Sequence, residues 1–345
     1  MKSHLSVIIL NWNTRSLLEK FLPLVWLNSR DKGVEIVVAD NGSDDDSVLW
    51  VKENHPQIKV LELGFNFGFA EGYNRAISMV DSQFVLLLNS DVAPGENWIA
   101  PLLRRIKETP DCAAVVPSIK DYNNPEKFEY AGAAGGYIDL FGYPFCRGRI
   151  FDTLEQDDGM YSNPVEVMWG SGAALLVDRE LFVDSGALDK DFFAHMEEID
   201  WCWRVRNRGY SIWHEPESTV YHLGGGTLNY NNNRKIYLNF RNNLYLLVKN
   251  SRFNLLPATL LIRFALDYAA GFMFLFKGRF KSFAAIFKAH RDFIKRLPSL
   301  CEKRKSNLRY VRHTGHDRLI YKKSIVFDYF IKSKRKFSQL NYIKE

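Results

Sequence analysis

Apolar runs separated by amphipathic segments dominate the first hundred residues of the chain. The runs are LSVIILNWN (5–13), VEIVVADNGSDDDS (34–47), IKVLELG (58–64) and QFVLLLNSDV (83–92). The first two begin with continuous rather than alternating apolar character, which is typical of parallel strands covered on both faces. Segments with helical spacing lie between the runs, for example AEGYNRAISMV (70–80). Strands that alternate with helices predict a doubly wound α/β fold with a mostly parallel sheet flanked by helices.

The chain from about 118 to 165 has little periodicity and is predicted to be irregular. After it, EVMWGSGAALLVDRELFVDSG predicts a strand and a helix, and AHMEEIDWCWRVRNRG predicts a helix that ends at Gly209, a suitable C-cap. The following segment, YSIWHEPESTVYHLGGG, predicts a last strand and a glycine-rich loop.

Small polar residues gather where the predicted strands end. They are Asn11 and Asn13, Asp40 to Ser43, Gly64 with Asn66, and Asn89 to Asp91. Because open parallel sheets bind ligands outside the carboxyl ends of their strands, we expect these residues at one site. Turn propensity explains any one of these ends, since Asn, Asp, Gly and Ser favour turns, but it explains four together less well.

The motifs restrict the class of ligand. Neither a G-x-G-x-x-G pattern after the first strand nor a Walker pattern is present, so a dinucleotide or P-loop site is unsupported. An acidic rim needs a divalent cation such as Mg²⁺ or Mn²⁺ to hold a diphosphate, and Asp91 is the natural carboxylate ligand. Asp40 is suited to accept hydrogen bonds from a nucleobase edge.

The four cysteines are scattered without a C-x-x-C pair, which favours neither zinc nor disulfides and suits a reducing cytosolic setting. The apolar stretch at the N-terminus is too short for a signal peptide.

The last part of the chain is strongly basic. From Lys277 onward there are 20 Lys and Arg against 5 Asp and Glu, whereas the remainder has 26 against 35. Residues 253–276 are very apolar, but Arg263 and Asp267 divide them into uncharged runs shorter than a membrane span. In the next segment the basic residues lie largely on one side of a predicted helix. Six apolar residues share its other face: Phe276, Phe280, Phe283, Phe287, Ile294 and Leu297. This pattern predicts a basic helix in a membrane interface; the alternative is an amphipathic helix docked on the body.

Seven motifs in chain order carry a family resemblance. They are VIILNWN, VADNGSDDDS, GFNFGFAEGYNRAI, LLLNSDV, GSGAALLVDR, EEIDWCWRVRNRG and VYHLGGG, and they run from residue 7 to about 226. The chain resembles the family 2 glycosyltransferases of the GT-A fold, particularly the bacterial rhamnosyltransferase-like branch. The resemblance implies an inverting transfer of a sugar from a nucleoside-diphosphate donor, dTDP or UDP. It also implies a GT-A catalytic domain over 1–240, with a nucleotide-sugar half (about 1–117) and an acceptor half (about 118–240). The apolar and basic patterns predict a helical, basic, membrane-associating region over 241–345.

The resemblance assigns donor-binding roles. Asp40 looks like the carboxylate that reads the pyrimidine ring, with Asn11 and Asn41 in the same donor site. Gly68, Asn74 and Arg75 match the glycine-rich donor segment. Asn89, Ser90 and Asp91 match the motif usually written Asp-x-Asp, with Asn in place of the first carboxylate. Asn89 and Ser90 are then donor contacts and Asp91 the metal ligand, and His222 matches a histidine near the metal or diphosphate.

The catalytic base is expected in the segment HMEEIDWCWR. Its position in the family matches Glu198, where Glu replaces Asp, and the longer side chain leaves the role shared with Glu197. One carboxylate is enough to deprotonate an acceptor hydroxyl as it attacks. Asp200 is expected to orient a neighbour, and Gly170 and Trp201 to meet the acceptor or sugar. The competing interpretation is that these acids only stabilise a helix N-terminus.

Together these observations predict a metal-dependent, inverting glycosyltransferase at the cytoplasmic face of the membrane, peripheral or monotopic. Its partners are expected to be a nucleotide-sugar, a cell-surface glycan acceptor that is lipid-linked, and an anionic membrane surface, without nucleic acid. Two alternatives stay open: a non-catalytic, membrane-attached nucleotide-sugar binding protein, and a processive polysaccharide synthase. The synthase is disfavoured because the chain has no Q-x-x-R-W motif.

Overall fold

The computed structural model describes residues 4–30, 33–224, 233–252, 256–312 and 316–341. The strands are β1 (Leu5–Asn11), β2 (Val34–Asp40), β3 (Lys59–Glu62), β4 (Phe84–Leu88), β5 (Val92–Pro94), β6 (Cys112–Asp121), β7 (Gly136–Asp139), β8 (Pro144–Cys146), β9 (Arg149–Ile150), β10 (Thr153–Leu154), β11 (Val165–Glu166), β12 (Ala174–Asp178), β13 (Ser211–His222) and β14 (Ile320–Tyr321). The helices are α1 (Arg15–Ser29), α2 (Ser47–Asn54), α3 (Gly68–Ser78), α4 (Ile99–Glu108), α5 (Arg179–Asp184), α6 (Glu197–Asn207), α7 (Asn233–Asn250), α8 (Leu256–Phe276), α9 (Phe280–Leu308) and α10 (Ile325–Phe330). Of the glycine-rich loop, Gly225 and Gly226 lie outside the described residues.

The main sheet confirms the predicted α/β fold. Its strand order is β11-β13-β6-β12-β4-β1-β2-β3, and β5 pairs with β13. The strands β3, β2, β1 and β4 are parallel, whereas β12 runs antiparallel to both β4 and β6. Every residue of β4 is buried, as its continuous apolar sequence predicts. The carboxyl ends of these parallel strands therefore share one edge.

A second, small sheet replaces much of the irregular structure predicted for 118–165. Its order is β10-β9-β8-β7-β14, and its β7–β10 strands are two to four residues long. Strands this short contain too few residues for a periodic pattern to be recognised. The fifth strand, β14, comes from the far end of the chain and is parallel to β7.

The C-terminal region is helical as predicted, and it packs against the rest of the chain. The predicted boundary at residue 240 falls inside α7, which packs against α6 and α9. Beyond α9 the chain returns to the second sheet, where Ile325 N donates to Asp139 Oδ2 at 2.9 Å and Phe337 N donates to Glu155 Oε1 at 2.8 Å. In the described part of the chain, α8 alone is long and apolar enough to cross a membrane. Arg263 and Asp267 are the only charged residues of α8, so the helix as a whole is apolar although its uncharged runs are short.

Candidate active site

Asn11 and Asp40 lie side by side at the sheet edge because the parallel register of β1 and β2 pairs them. Asn11 Nδ2 donates to Asp40 Oδ1 at 2.8 Å, and the backbone N–H groups of Gly42 and Ser43 donate to Asp40 Oδ2 at 3.2 and 3.1 Å. Both side chains are buried. The structure thus brings together the two residues expected at the nucleoside and fixes the Asp40 carboxylate.

Asn41 and Gly68 connect the end of β2 to the start of α3. Asn41 Oδ1 accepts from Phe67 N at 3.1 Å, and its Nδ2 donates to Gly68 O at 3.1 Å. Gly68 has a φ of +78°, and a Cβ placed there would lie 2.9 Å from the Phe193 carbonyl oxygen. Glycine alone tolerates this combination, so the donor segment lies directly against the turn that precedes α6.

Asn74 and Arg75 make contacts within the protein. Asn74 Nδ2 donates to Leu188 O at 2.8 Å, and its Oδ1 accepts from Leu188 N at 3.0 Å. Arg75 Nε donates to Glu71 Oε1 at 3.0 Å, and its guanidinium lies 3.7 Å from the centroid of the Phe67 ring. These contacts give both residues a structural role, and their contact with a donor stays a prediction.

Asp91, which follows β4, meets His222 at the end of β13. His222 Nε2 lies 3.0 Å from Asp91 Oδ1, and His222 Nδ1 lies 2.9 Å from Glu129 Oε2. Burial lowers the pKa of His222, but the hydrogen bonds to these two carboxylates outweigh it and raise that pKa to about 10. Sequence reasoning predicted Asp91 and His222 but missed Glu129, an isolated acid in a segment without recognisable pattern.

The Asp91 carboxylate is a ligand that both Mn²⁺ and Mg²⁺ accept. His222, 3.0 Å away, could bind Mn²⁺ as well once the ion displaces the proton that its raised pKa keeps on the ring. Within the described ranges, no group of three or more His, Cys, Asp and Glu is arranged to hold a metal. Substrate oxygens would therefore complete the coordination. Ser90 is buried beside Asp91, and Asn89 N donates to Ala173 O at 3.0 Å.

Glu197 and Glu198 begin α6, and the Oε2 atom of each is buried without a hydrogen-bond partner. Burial raises the pKa of Glu198 to about 7, against the opposing effect of nearby backbone N–H groups. Burial, and then the charge of Glu198, raise the pKa of Glu197 well above its usual range. Glu197 is only 3% exposed, whereas Glu198 is half-buried. A carboxylate with a pKa near neutrality has the properties of a general base.

The turn before α6 is strained. Phe193, His195 and Met196 have φ values of 67°, 70° and 74°. This left-handed conformation costs a residue with a side chain roughly 1–3 kcal/mol, and it persists only where surrounding contacts impose it. On the other side of Glu198, a Cβ placed on Gly172 would lie 3.8 Å from Glu198 Cβ. Because the carbonyl of the next residue, Ala173, accepts a hydrogen bond from Asn89 N, Glu198 and the end of β4 border one short segment.

Two expected acceptor contacts are core residues instead. Trp201 is fully buried, its Nε1 donates to Ser185 Oγ at 2.7 Å, and its ring centroid lies 5.1 Å from that of Phe182. It is therefore not positioned to meet a sugar, and that expectation is wrong. Gly170 is also buried, and a Cβ there would lie 2.2 Å from Val116 Cγ1. Close packing, rather than a sugar, requires glycine at this position.

Comparison with known proteins finds similar sequences among glycosyltransferases. Residues 6–168 match the family described as Glycosyl transferase family 2. The N-acetylglucosaminyl-diphospho-decaprenol L-rhamnosyltransferase of Mycobacterium tuberculosis is 27% identical over 240 residues, which cover 64% of this chain and 76% of that protein.

Two solved structures have a similar fold. The mannosyltransferase PcManGT from Pyrobaculum calidifontis, in complex with GDP-Man and Mn²⁺, gives a TM-score of 0.53 at 14% identity and covers 85% of this chain and 88% of its own. GalNAc-T7 with UDP, GalNAc and Mn²⁺ gives 0.57 at 18% identity, covering 72% of this chain and 48% of its own. The chain therefore has the fold of the GT-A glycosyltransferases. Over residues 6–168 it is similar to glycosyltransferase family 2.

Proposed function

We propose that the protein transfers a sugar, with inversion at the anomeric carbon, from a dTDP or UDP donor to a hydroxyl of a lipid-linked glycan. The observation that carries this proposal is the position of Glu198: its buried Oε2 atom has no hydrogen-bond partner, and its Cβ lies beside Gly172, next to the Ala173 carbonyl that Asn89 contacts at the end of β4. Acids that only stabilise a helix N-terminus would lie in solvent, because ionising a carboxyl group costs less free energy there than in the protein interior.

Glu198 acts as the base in this proposal. Its carboxylate takes the proton of the acceptor hydroxyl while that oxygen forms a bond to the anomeric carbon. The bond from the anomeric carbon to the diphosphate oxygen breaks, and the diphosphate leaves with the electron pair. Asp40 and Asn11 bind the pyrimidine nucleoside, while Asn41, Gly68, Asn89 and Ser90 form the rest of the donor site.

Asp91 and His222 would hold Mn²⁺ or Mg²⁺ in this proposal. A bound ion of this kind neutralises the charge that develops on a leaving diphosphate. The solved relatives that contain a nucleotide and Mn²⁺ support this assignment. The named substrate of the mycobacterial relative, a decaprenol-linked diphospho-sugar, supports a lipid-linked acceptor here.

Donor binding is expected to stabilise the folded protein by mass action. At about 100 times its Kd, a ligand adds about 2.7 kcal/mol to the free energy of unfolding. We therefore expect UDP- or dTDP-sugars to raise the melting temperature in the presence of Mn²⁺, with smaller shifts when the metal is chelated. GDP- and CMP-sugars serve as controls. Stabilisation by none of these compounds would contradict a nucleotide-sugar site, and stabilisation by GDP-sugars alone would contradict the role of Asp40.

Membrane association is the second part of the proposal, and α8 supports it. Its buried stripe recurs every four residues and consists of Thr259, Arg263, Asp267 and Gly271. Asp267 pairs with Arg263 at 3.4 Å and with His290 of α9 at 3.1 Å. The charges that interrupt the apolar sequence therefore face the protein. The polar face of α8 is thus buried against the protein, whereas its apolar face points outward.

The outward face of α8 is apolar and continues onto α9. Leu261, Phe272 and Phe276 are 71%, 53% and 90% exposed, and Phe280 at the start of α9 is 70% exposed. Exposed lysines follow directly: Lys277, Lys281 and Lys288. Stable membrane attachment generally combines apolar insertion with attraction of basic residues to anionic lipids. We propose that this surface rests on the cytoplasmic face of an anionic membrane.

Aspartate substitutions on this surface are expected to release the protein from membranes. Leu261→Asp and Phe272→Asp each remove an exposed apolar side chain whose insertion is worth about 1.5–3 kcal/mol, so each lowers vesicle binding by about tenfold or more. Co-sedimentation with vesicles that contain phosphatidylglycerol measures this effect. Leu49→Asp, at a residue 58% exposed on α2, is the matched control and leaves binding unchanged. Equal binding by all variants would contradict the assignment of α8.

A further inference from the structure

We infer that α7 fixes the position of the acidic segment 197–200 from both ends, and that Arg241 and Asn242 are positioning residues for Glu198. The inference rests on the proposed function, in which Glu198 is the base. Two pairs, each a basic residue followed by asparagine, lie eight residues apart on α7: Arg241–Asn242 and Lys249–Asn250. Eight residues span slightly more than two helical turns, so the pairs lie toward one side of the helix.

The first pair holds the strained turn before α6. Asn242 is fully buried, and its Nδ2 lies within hydrogen-bond distance of three carbonyl oxygens, those of Phe192 (3.0 Å), Ala194 (2.9 Å) and His195 (2.7 Å). These carbonyls belong to the turn that contains the left-handed residues. A single buried amide therefore imposes the backbone path that leads into the first residue of α6.

Arg241 also holds the turn before α6. Its guanidinium donates to the carbonyl oxygens of Asp191 at 3.1 Å and Phe192 at 3.0 Å. The turn also accepts a hydrogen bond from the donor segment, since Phe69 N donates to Phe193 O at 2.9 Å. The turn is thus held between α7 and the predicted donor segment, so its geometry links the two halves of the site.

The second pair anchors the other end of the acidic segment. Lys249 Nζ donates to Asp200 Oδ2 at 2.7 Å, and Asn250 Nδ2 donates to Asp200 Oδ1 at 2.7 Å. Arg204 completes the set with a 3.0 Å contact to Asp200 Oδ2. Asp200 is fully buried, and breaking a buried pair of this kind is strongly destabilising. Asp200 is consequently an anchor rather than a substrate contact.

Glu198 lies between these two attachment points, so α7 determines where its carboxylate stands. A misplacement of about 1 Å in a catalytic group costs about a hundredfold in rate. The region that sequence reasoning assigned to membrane association therefore also sets the catalytic geometry.

The test compares two neighbouring buried asparagines. Asn242→Asp keeps the shape of the side chain but removes the N–H donors that hold the turn, and we expect kcat to fall about a hundredfold with donor Kd unchanged. The matched control is Asn243→Asp. Asn243 is also buried, but its Nδ2 donates to Gly142 O at 2.9 Å and its Oδ1 accepts from Arg263, both away from the turn. We expect this variant to keep a kcat close to that of the wild type.

Thermal melting and donor titration with Mn²⁺ establish that each full-length variant is folded and binds donor. A second variant, Arg241→Lys, is milder because this residue is partly exposed, and it removes the planar guanidinium that fixes Nη2 between the two carbonyl oxygens. We expect an intermediate fall in kcat without a change in donor Kd. A folded, donor-binding Asn242→Asp with wild-type kcat would overturn the inference, as would equal losses in Asn242→Asp and Asn243→Asp. Absence of transfer by the wild type would instead refute the proposed function itself.

Discussion

Glu198→Gln is expected to lower kcat by a factor of about 10²–10⁴ while donor affinity stays unchanged, because it removes the general base without altering shape. The unpartnered Oε2 atom of Glu198 forms no hydrogen bond that the amide would break. Initial rates of nucleoside-diphosphate release and donor titration by calorimetry separate the two effects. Since burial raises the pKa of Glu198 to about 7, and the base acts as the carboxylate, wild-type kcat should rise with pH through about 7 and level off above it.

Glu197→Gln distinguishes the two carboxylates. Glu197 is more deeply buried, and burial together with the charge of Glu198 raises its pKa, which makes it less suited than Glu198 to take a proton. Its amide variant should therefore retain transfer and the same pH profile. Loss of activity in Glu197→Gln alone would move the base to that residue. Full activity in both variants would exclude the carboxylate mechanism at this segment.

The main sheet was predictable because each of its strands and helices can be recognised from the pattern of apolar residues within its own segment. A strand such as β4 is apolar at every position, and the helices between the strands have their own periodicity. The parallel arrangement then places Asn11 beside Asp40, a consequence of register rather than of any single motif. The first hundred residues therefore suffice to predict that Asn11 and Asp40 lie together at the sheet edge.

The remaining site residues depend on contacts between distant parts of the chain. Glu129 reaches His222 across 93 positions, and Asn242 reaches the turn before α6 across nearly 50. Neither residue belongs to a pattern, since a lone acid or amide is as suitable for a solvated loop as for a buried network. Trp201 shows the opposite error: its aromatic character fits a sugar platform, but only its packing reveals that it is core.

The helix α8 shows how charge can mislead when only spacing is considered. Arg263 and Asp267 shorten the uncharged runs of its sequence, which weakens the prediction of a membrane-contacting helix. In the structure they pair with each other on the buried side, and Arg263 Nη1 also donates to Phe141 O at 2.8 Å. The paired charges satisfy one another within the protein, so they attach the helix to the body and leave its apolar side outward. Membrane contact and polar residues are compatible in such a helix.

Asp91→Asn is expected to lower affinity for Mn²⁺ by about a hundredfold or more and to abolish metal-dependent donor binding. The estimate follows from the 10–100-fold cost of losing even an outer-shell partner of a metal ligand. The sequence has Asn89 where a second carboxylate would stand, so Asp91 supplies the anionic ligand of the motif alone. Electron paramagnetic resonance of free Mn²⁺, with and without UDP or dTDP, measures the affinity directly.

The control for this substitution is Asp44→Asn, which removes a carboxylate from the exposed turn after β2. Both variants lose one negative charge near the sheet edge, so a purely electrostatic effect would weaken Mn²⁺ binding similarly in the two. A ligand effect is confined to Asp91, since its carboxylate lies 3.0 Å from His222 Nε2 and the two would share the ion. Wild-type Mn²⁺ affinity in Asp91→Asn would show that the ion is held elsewhere or that transfer proceeds without it. Equal losses of Mn²⁺ affinity in both variants would show that Asp91 contributes only negative charge and is not a metal ligand.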